Sequence, residues 1–216
     1  MAKLKLCVFI SGRGSNLQSL IDACARDDYP AQIALVVSNI EGVQGLERAK
    51  AAGIQTSVVS HEGFNSNDSF DALINKVIKP FDVDLICLAG FMRILSNRFV
   101  DYWQDRMINI HPSLLPSFKG LDVQQRAIDS GVRFSGCTVH FVRRNMDTGP
   151  IIVQAAVPVL GNDDANTLAG RILEQEHKIY PLAVKLIAQG RTTIKNERVL
   201  IDGAIAPDGL PVNPEA

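Results

Sequence analysis

The sequence predicts an α/β protein built on one doubly wound, mostly parallel sheet. Short runs of β-branched and apolar residues alternate with amphipathic segments of helix length. Repeated strand–helix units favour parallel strands with helices on both faces. No composition break or low-complexity linker divides the 216 residues. We therefore expect one domain over residues 1–202 and a loosely ordered tail, rich in proline and glycine, over residues 203–216.

The first half of the chain contains five predicted strands and four predicted helices. Gly53 is expected to stop the second helix, and Ser96 is expected to cap the fourth. This half is therefore expected to be Rossmann-like. The strands are Leu4 to Ile10, Ile33 to Val37, Thr56 to Val59, Leu85 to Ala89 and Met107 to Ile110, and the helices are Asn16 to Ala25, Gln44 to Ala52, Asp68 to Ile78 and Ser96 to Trp103.

The last third of the chain follows a different pattern. Phe134 to Phe141 and Ile151 to Val157 are strand candidates with no helix between them, and we expect them to pair. A long helix over Asp164 to Ala188 follows, and we expect Pro181 to interrupt it. Arg191 to Ile201 has the pattern of a terminal hairpin.

Composition and charge exclude several classes of protein. The chain has 22 basic and 23 acidic residues, and this formal net charge of −1 gives no basic excess to hold a nucleic acid. Its four cysteines are too far apart in sequence for zinc spacing. No run of residues has the length of a membrane span or the pattern of a leader. These features favour a cytoplasmic enzyme or binding protein that needs no metal.

The run Asn109-Ile110-His111-Pro112 suggests a catalytic site at a strand end. Asn109 and His111 are two residues apart, so in a strand they project from the same face, while Ile108 and Ile110 point into the core. Pro112 stops the strand just beyond them. An amide and an imidazole side by side suit a reaction that places negative charge on a carbonyl oxygen and moves a proton. The alternative is a strand-end histidine bonded to its neighbours.

The turn after the first strand resembles a phosphate site. Its residues Ser11 to Leu17 include two glycines, and the helix that follows offers unpaired N–H groups at its N-terminus. The spacing fits neither a dinucleotide fingerprint nor a P-loop, so a single phosphate on a smaller molecule fits better. A tight turn without any ligand is the alternative.

A third candidate residue, Asp147, precedes a glycine between the two late strands and, taken alone, fits a turn. Together with Asn109 and His111 it suggests a carboxylate that orients the imidazole. At this point the chain resembles the phosphoribosylglycinamide formyltransferases, within the wider family of folate-dependent formyltransferases. The resemblance extends in order from Val8 to about Gly190, and it is carried by the segments Ile10 to Leu17, Leu88 to Leu95, Asn109 to Pro116, Met146 to Ile152 and Gln175 to Pro181.

The resemblance implies the formyltransferase fold and a definite reaction. 10-Formyltetrahydrofolate would donate its formyl group to the amine of glycinamide ribonucleotide, in purine biosynthesis. Asn109, His111 and Asp147 would be the catalytic residues. Asn109 would donate to the developing oxyanion, and Asp147 would hold His111 protonated and help relay protons. Neither a metal nor a covalent intermediate is needed.

The resemblance also implies how both substrates bind. Gly14, Ser15 and Asn16 would hold the phosphate, and Glu176 would accept hydrogen bonds from the ribose hydroxyls. The folate would lie against Met92, Arg93, Ile94 and Leu95, with Asn109 close by. The partners would be these two small molecules, with the protein a monomer or a homodimer, and no contact with nucleic acid or membrane is expected.

Two positions depart from the family pattern. Asn67 stands where an arginine is expected, so it would contribute less to folate binding. Asp122 and Gln124 stand where many members carry histidines, and Asp122 would change the charge near Asp147.

Three other functions remain open from the sequence. A formyltetrahydrofolate hydrolase would use water in place of the amine, but such enzymes typically carry an extra N-terminal regulatory domain. A methionyl-tRNA formyltransferase would carry a C-terminal RNA-binding domain. A binding protein for folate or a sugar phosphate would have no activity to lose on mutation of His111.

Overall fold

The computed structural model describes residues 2–60, 64, 66–205 and 213. Within these residues the chain forms strands and helices in an alternating order, followed by a strand pair, a long helix and a hairpin. The strands are β1 Leu4–Ile10, β2 Ala31–Ser38, β3 Thr56–Val58, β4 Leu85–Leu88, β5 Met107–His111, β6 Phe134–Phe141, β7 Ile151–Pro158, β8 Thr192–Lys195 and β9 Arg198–Ile201, and the helices are α1 Ser15–Cys24, α2 Gln44–Ala51, α3 Asn67–Ile78, α4 Asn97–Tyr102, α5 Val123–Asp129 and α6 Ala165–Ala188, with a 3₁₀ turn over Lys79–Phe81.

The main sheet has the strand order β3-β2-β1-β4-β5-β6-β7, and β8 and β9 form a separate hairpin. β1 to β5 are parallel to one another, whereas β6 is antiparallel to β5 and to β7. The predicted α/β class, the mostly parallel sheet and the pairing of the two late strands are therefore confirmed.

Each face of the sheet has its own core, because side chains along a strand alternate between faces. Leu6, Val8 and Ile10 of β1 pack on one face with α1, α2, α5 and α6. Cys7 and Phe9 pack on the other face with α3 and α4. The second core ends at Met107, so α3 and α4 cover this face over the first strands but not over the rest of β5 and β6. That uncovered part of the sheet is where the candidate site lies.

The expected interruption of the long helix at Pro181 is wrong. α6 runs without a break from Ala165 to Ala188, with Pro181 inside it. Tyr180 and Ala183 on either side of the proline are fully buried against the sheet. Packing of both halves on one core therefore offsets the hydrogen bond that proline removes.

Helix α5 was not among the predicted elements. It has seven residues and buries only Val123 and Ala127, four positions apart, so its sequence carries too short a periodic pattern to indicate a helix.

The tail that we expect to be loosely ordered, residues 203–216, lies outside the described residues except for 203–205 and 213. Of the helices described, none is long and apolar enough to span a membrane.

Tyr180 ties α6 to the centre of the sheet, and we expect Tyr180→Phe to destabilise the fold. Its buried hydroxyl donates to the carbonyl of Leu88 at the end of β4 (2.8 Å). Losing that donor should lower the free energy of unfolding by about 1–3 kcal/mol, measured by urea denaturation. Tyr102→Phe removes an exposed hydroxyl and serves as control. Equal stability of the two variants would contradict the role of this bond.

Candidate active site

Strand β5 presents Asn109 and His111 on the face that α3 and α4 leave uncovered. Ile108 and Ile110 point to the opposite face, into the core under α6. His111 is buried, and Asn109 is half-buried. The strand ends at His111, and the next residue is Pro112.

His140 belongs to the same cluster, although the sequence did not single it out. In the antiparallel register Asn109 pairs with His140, and His111 pairs with Thr138. The Asn109 Nδ2 and His140 Nε2 atoms are 3.4 Å apart. His140 Nδ1 lies 2.9 Å from the carbonyl oxygen of Phe141, so the proton of the neutral ring is on Nδ1 and Nε2 accepts from Asn109. Burial lowers the pKa of His140 and so favours this neutral form. The hydrogen bond to Phe141 and the charge of Asp147 act in the opposite direction, but burial is the larger cause.

Asp147 brings its carboxylate to both histidines. Its Oδ2 lies 3.5 Å from His111 Nδ1, and its Oδ1 lies 3.7 Å from His140 Nε2. Oδ2 also accepts a hydrogen bond from the backbone N–H of Gly120 (2.9 Å). The structure therefore brings the three sequence-predicted residues together, with His111 and Asp147 buried and Asn109 half-buried.

His111 faces a hydrogen-bond acceptor at each ring nitrogen. Nε2 lies 3.0 Å from the carbonyl oxygen of Phe118, and Nδ1 faces the Asp147 carboxylate. Because both neighbours accept, only the imidazolium, with a proton on each nitrogen, donates to both at once. His111 therefore has an acceptor in place for a proton on either ring nitrogen.

The loop that carries Asp147 is anchored at both of its ends. At its start, Arg144 makes two hydrogen bonds to Asp101 (2.8 and 2.6 Å), and Arg143 bonds Asp105 and Glu197 (2.8 and 2.7 Å). At its end, a Cβ added to Gly149 would lie 1.7 Å from the Phe141 carbonyl oxygen, so only glycine permits this close approach. These contacts fix where Asp147 stands.

The first turn has the geometry expected of an anion site. Gly14 precedes α1 with φ of 69°, and Ser15 is the first helical residue. Helix α2 supports the turn from behind: Gly45 N–H donates to the Gly12 carbonyl (3.0 Å), and Arg48 Nε donates to the Arg13 carbonyl (2.9 Å). A Cβ on Gly14 would lie 2.7 Å from Gly45 Cα. Sequence reasoning missed Gly45 and Arg48, because nothing in α2 itself indicates that it packs on this turn.

Asn16 links the turn to α6. Its Nδ2 donates to Glu176 Oε2 (2.7 Å), and both side chains are buried. Asn16 Oδ1 is buried without a hydrogen-bond partner among the described residues. Burial raises the pKa of Glu176 to about 7, although the bond from Asn16 acts in the opposite direction. Gly14, Ser15, Asn16 and Glu176 therefore form a second group, at the start of α1.

The segment Gly90–Ser96, which we call the 90–96 segment, follows β4. Phe91 packs edge-on against Phe9, and Leu95 is buried in the core under α3 and α4. Met92 and Ile94 alternate with them and are 67% and 75% exposed. The Met92 N–H donates to Ser11 Oγ (2.8 Å), a residue at the end of β1 that sequence reasoning did not assign. The segment therefore offers two large apolar side chains to a ligand from a backbone that is held in place.

More exposed apolar side chains lie beside Asp147. Leu121 and Met146 are 74% and 61% exposed, and a Cβ on Gly120 would lie 3.7 Å from the Met146 side chain. Asp122 is exposed, just before α5 and two residues from the Gly120 that binds Asp147. Large exposed apolar side chains beside a buried polar cluster are typical of a ligand site.

No group of three or more histidine, cysteine or acidic side chains arranged for a metal ion occurs in the described part of the chain.

We expect Glu176 to make stability depend on pH. Because burial raises its pKa from 4.5 to about 7, the folded protein keeps a proton in that interval that the unfolded chain has released. The free energy of unfolding should then fall as pH rises through this interval, by roughly 3 kcal/mol at most, and level off above it. Glu176→Gln should remove this contribution, measured by urea denaturation between about pH 5 and 8. The same slope in the variant and the wild type would contradict the assignment.

Comparisons with known proteins agree with this architecture. The family model described as formyl transferase matches residues 4–184. Phosphoribosylglycinamide formyltransferase of Haemophilus influenzae is 43% identical over 203 residues, which cover 94% of this chain and 96% of that protein. The crystal structure of glycinamide ribonucleotide transformylase 1 from Symbiobacterium toebii has a TM-score of 0.90 and 44% identity, over 92% of this chain and 94% of that one.

Some relatives are much longer. The human trifunctional purine biosynthetic protein adenosine-3 is 50% identical over 188 residues, which cover 87% of this chain. The match covers 19% of the human protein's length, so this chain corresponds to about a fifth of it.

Proposed function

Since the chain belongs to the formyl transferase family, we propose that it transfers the formyl group of 10-formyltetrahydrofolate to the amine of glycinamide ribonucleotide, in purine biosynthesis. The observation that carries this proposal is the cluster of Asn109, His111 and Asp147, together with a turn that has the geometry of an anion site and an exposed apolar segment. The cluster would stabilise the oxyanion, the turn would bind the phosphate, and the apolar segment would bind the pterin ring of the folate.

The reaction begins when the substrate amine attacks the formyl carbon. A C–N bond forms, and the formyl oxygen takes up the negative charge. Asn109 donates one N–H to His140, which leaves its second N–H for that oxygen. His111 donates from Nε2, with the oxyanion replacing the Phe118 carbonyl as acceptor because an ionised oxygen accepts more strongly.

Protons must then move from the amine to the leaving group. The attacking amine loses one proton, and N10 of the folate gains one as its bond to the formyl carbon breaks. His111 and Asp147 are the pair that can hold a proton between these events, since Asp147 stabilises the charged imidazole. His140, kept neutral by burial, orients the Asn109 amide.

Glycinamide ribonucleotide is held by the second group of residues. Its phosphate binds the N–H groups of Gly14, Ser15 and Asn16 at the start of α1. Its ribose hydroxyls donate to Glu176, which Asn16 holds in place. Asn16, in the first turn of α1, thereby connects the phosphate contact to the ribose contact at Glu176.

10-Formyltetrahydrofolate lies against the 90–96 segment. Met92 and Ile94 enclose the ring, and backbone groups of Met92 to Leu95 contact its polar edge. Arg93 and Asn67 lie at the α3 side of this segment, hydrogen-bonded to each other (3.0 Å). A cytoplasmic location, a monomeric or homodimeric state and catalysis without a metal are part of the same proposal.

Formyl transfer is tested by following folate release from 10-formyltetrahydrofolate by absorbance, with and without glycinamide ribonucleotide. We expect release to require the nucleotide. His111→Ala should slow it by about 10²–10³-fold or more, the usual cost of losing an oxyanion donor. Release at the same rate in water alone would indicate a hydrolase, and binding of both ligands without release would indicate a binding protein.

Asp147→Asn should lower kcat severely while the protein remains folded. Asparagine keeps the size of the side chain and an acceptor for the Gly120 N–H, but it removes the charge that faces His111 and His140. Asp129→Asn removes a charge from the exposed end of α5 and is the matched control. Near-normal kcat in a folded Asp147→Asn protein would rule out the proposed role of this carboxylate.

A further inference from the structure

Helix α3 carries a buried carboxylate for which the proposed reaction has no use. Asp71 is 2% exposed and lies on the inner face of α3, beside Phe70 and Ile74. A charged group in such a place costs stability unless partners compensate it. The groups that contact the Asp71 carboxylate therefore indicate its role.

The partners of Asp71 belong to the 90–96 segment. Its Oδ2 accepts a hydrogen bond from the backbone N–H of Ser96 (2.6 Å), the residue that caps α4. Its Oδ1 is buried and has no hydrogen-bond partner among the described residues. Burial raises the pKa of Asp71, and the charge of Asp68 adds to that rise, whereas the Ser96 hydrogen bonds and the charge of Arg93 oppose it.

Arg93, in the middle of the segment, is turned back onto the same helix. Its guanidinium lies 5.2 Å from the centre of the Phe70 ring and donates to Asn67 Oδ1 (3.0 Å). Its Nε is buried, also without a described hydrogen-bond partner. The positive charge of Arg93 lowers the pKa of Asp71, so the two groups attract each other across the gap between helix and segment.

These contacts fix the segment at two points while its apolar side chains stay outside. Ser96 is held at the end and Arg93 in the middle, and Met92 and Ile94 remain exposed. Asn67, which replaces the arginine expected from the family resemblance, accepts from Arg93 where a second guanidinium would repel it. Helix α3 thus acts as a clamp on the segment.

We infer that Asp71 is a positioning residue for the formyl donor: through Ser96 and Arg93 it fixes the backbone of the 90–96 segment, against which the folate binds. This inference rests on the proposed function, because it concerns how the same site holds its folate. It predicts an effect on folate affinity and none on the nucleotide, whose binding residues lie on α1 and α6.

The test compares Asp71→Asn with Asp82→Asn, which removes an exposed charge just after the 3₁₀ turn that follows the same helix. For Asp71→Asn we expect KM for 10-formyltetrahydrofolate and Kd for tetrahydrofolate, measured by fluorescence, to rise about tenfold, the equivalent of one charge-assisted hydrogen bond. KM for glycinamide ribonucleotide should change by less than about twofold, and Asp82→Asn should behave as wild type.

A second variant keeps the test informative if Asp71→Asn does not fold. Asn67→Ala changes an exposed side chain and removes the acceptor of Arg93, so it should raise the same two constants about threefold. Unchanged folate constants in a folded Asp71→Asn protein, or in Asn67→Ala if Asp71→Asn does not fold, would overturn the positioning role while leaving the proposed function standing. An equal loss for both substrates would do the same. Absence of tetrahydrofolate binding by the wild-type protein would overturn the proposed function and the positioning role together.

Discussion

The contact between the Asp147 carboxylate and the polar end of β5 is the interaction on which the site depends. A buried carboxylate requires partners, and those of Asp147 come from β5, from β6 and from the Gly120 backbone. All of these elements must therefore be in place before the charge is compensated. The arginine contacts at the start of the loop and the close approach of Gly149 at its end serve this one placement.

The topology explains why the polar cluster lies where it does. α3 and α4 cover one face of the sheet only as far as Met107. Over the rest of β5 and β6, two loops lie on the part of the face that these helices leave free. One loop follows β5 and leads to Phe118 and Gly120, and the other connects β6 to β7 and carries Asp147. Loops can place polar groups over a sheet where a packed helix would place apolar ones. Because β6 runs antiparallel to β5, the loop that follows β6 can bring Asp147 over the polar end of β5.

The sequence predicted most of the fold, because alternation and caps are local properties. Ser96 does cap α4, and Gly53 follows the end of α2. The continuity of α6 through Pro181 and the role of His140 depend on packing and on strand register, which are not local. The support of the first turn by Gly45 and Arg48 is equally invisible in sequence, since it arises between two helices that meet only in the folded chain.

A crystal structure with glycinamide ribonucleotide and a non-reactive folate analogue would show directly whether both substrates bind as proposed. We expect the phosphate on the N–H groups of residues 14–16, the ribose hydroxyls at Glu176 and the ring against Met92 and Ile94. The amine and the position of the formyl oxygen should then lie about 3 Å from the Asn109 and His111 donors. A nucleotide bound elsewhere, or an amine out of reach of His111 with both ligands present, would contradict the proposal.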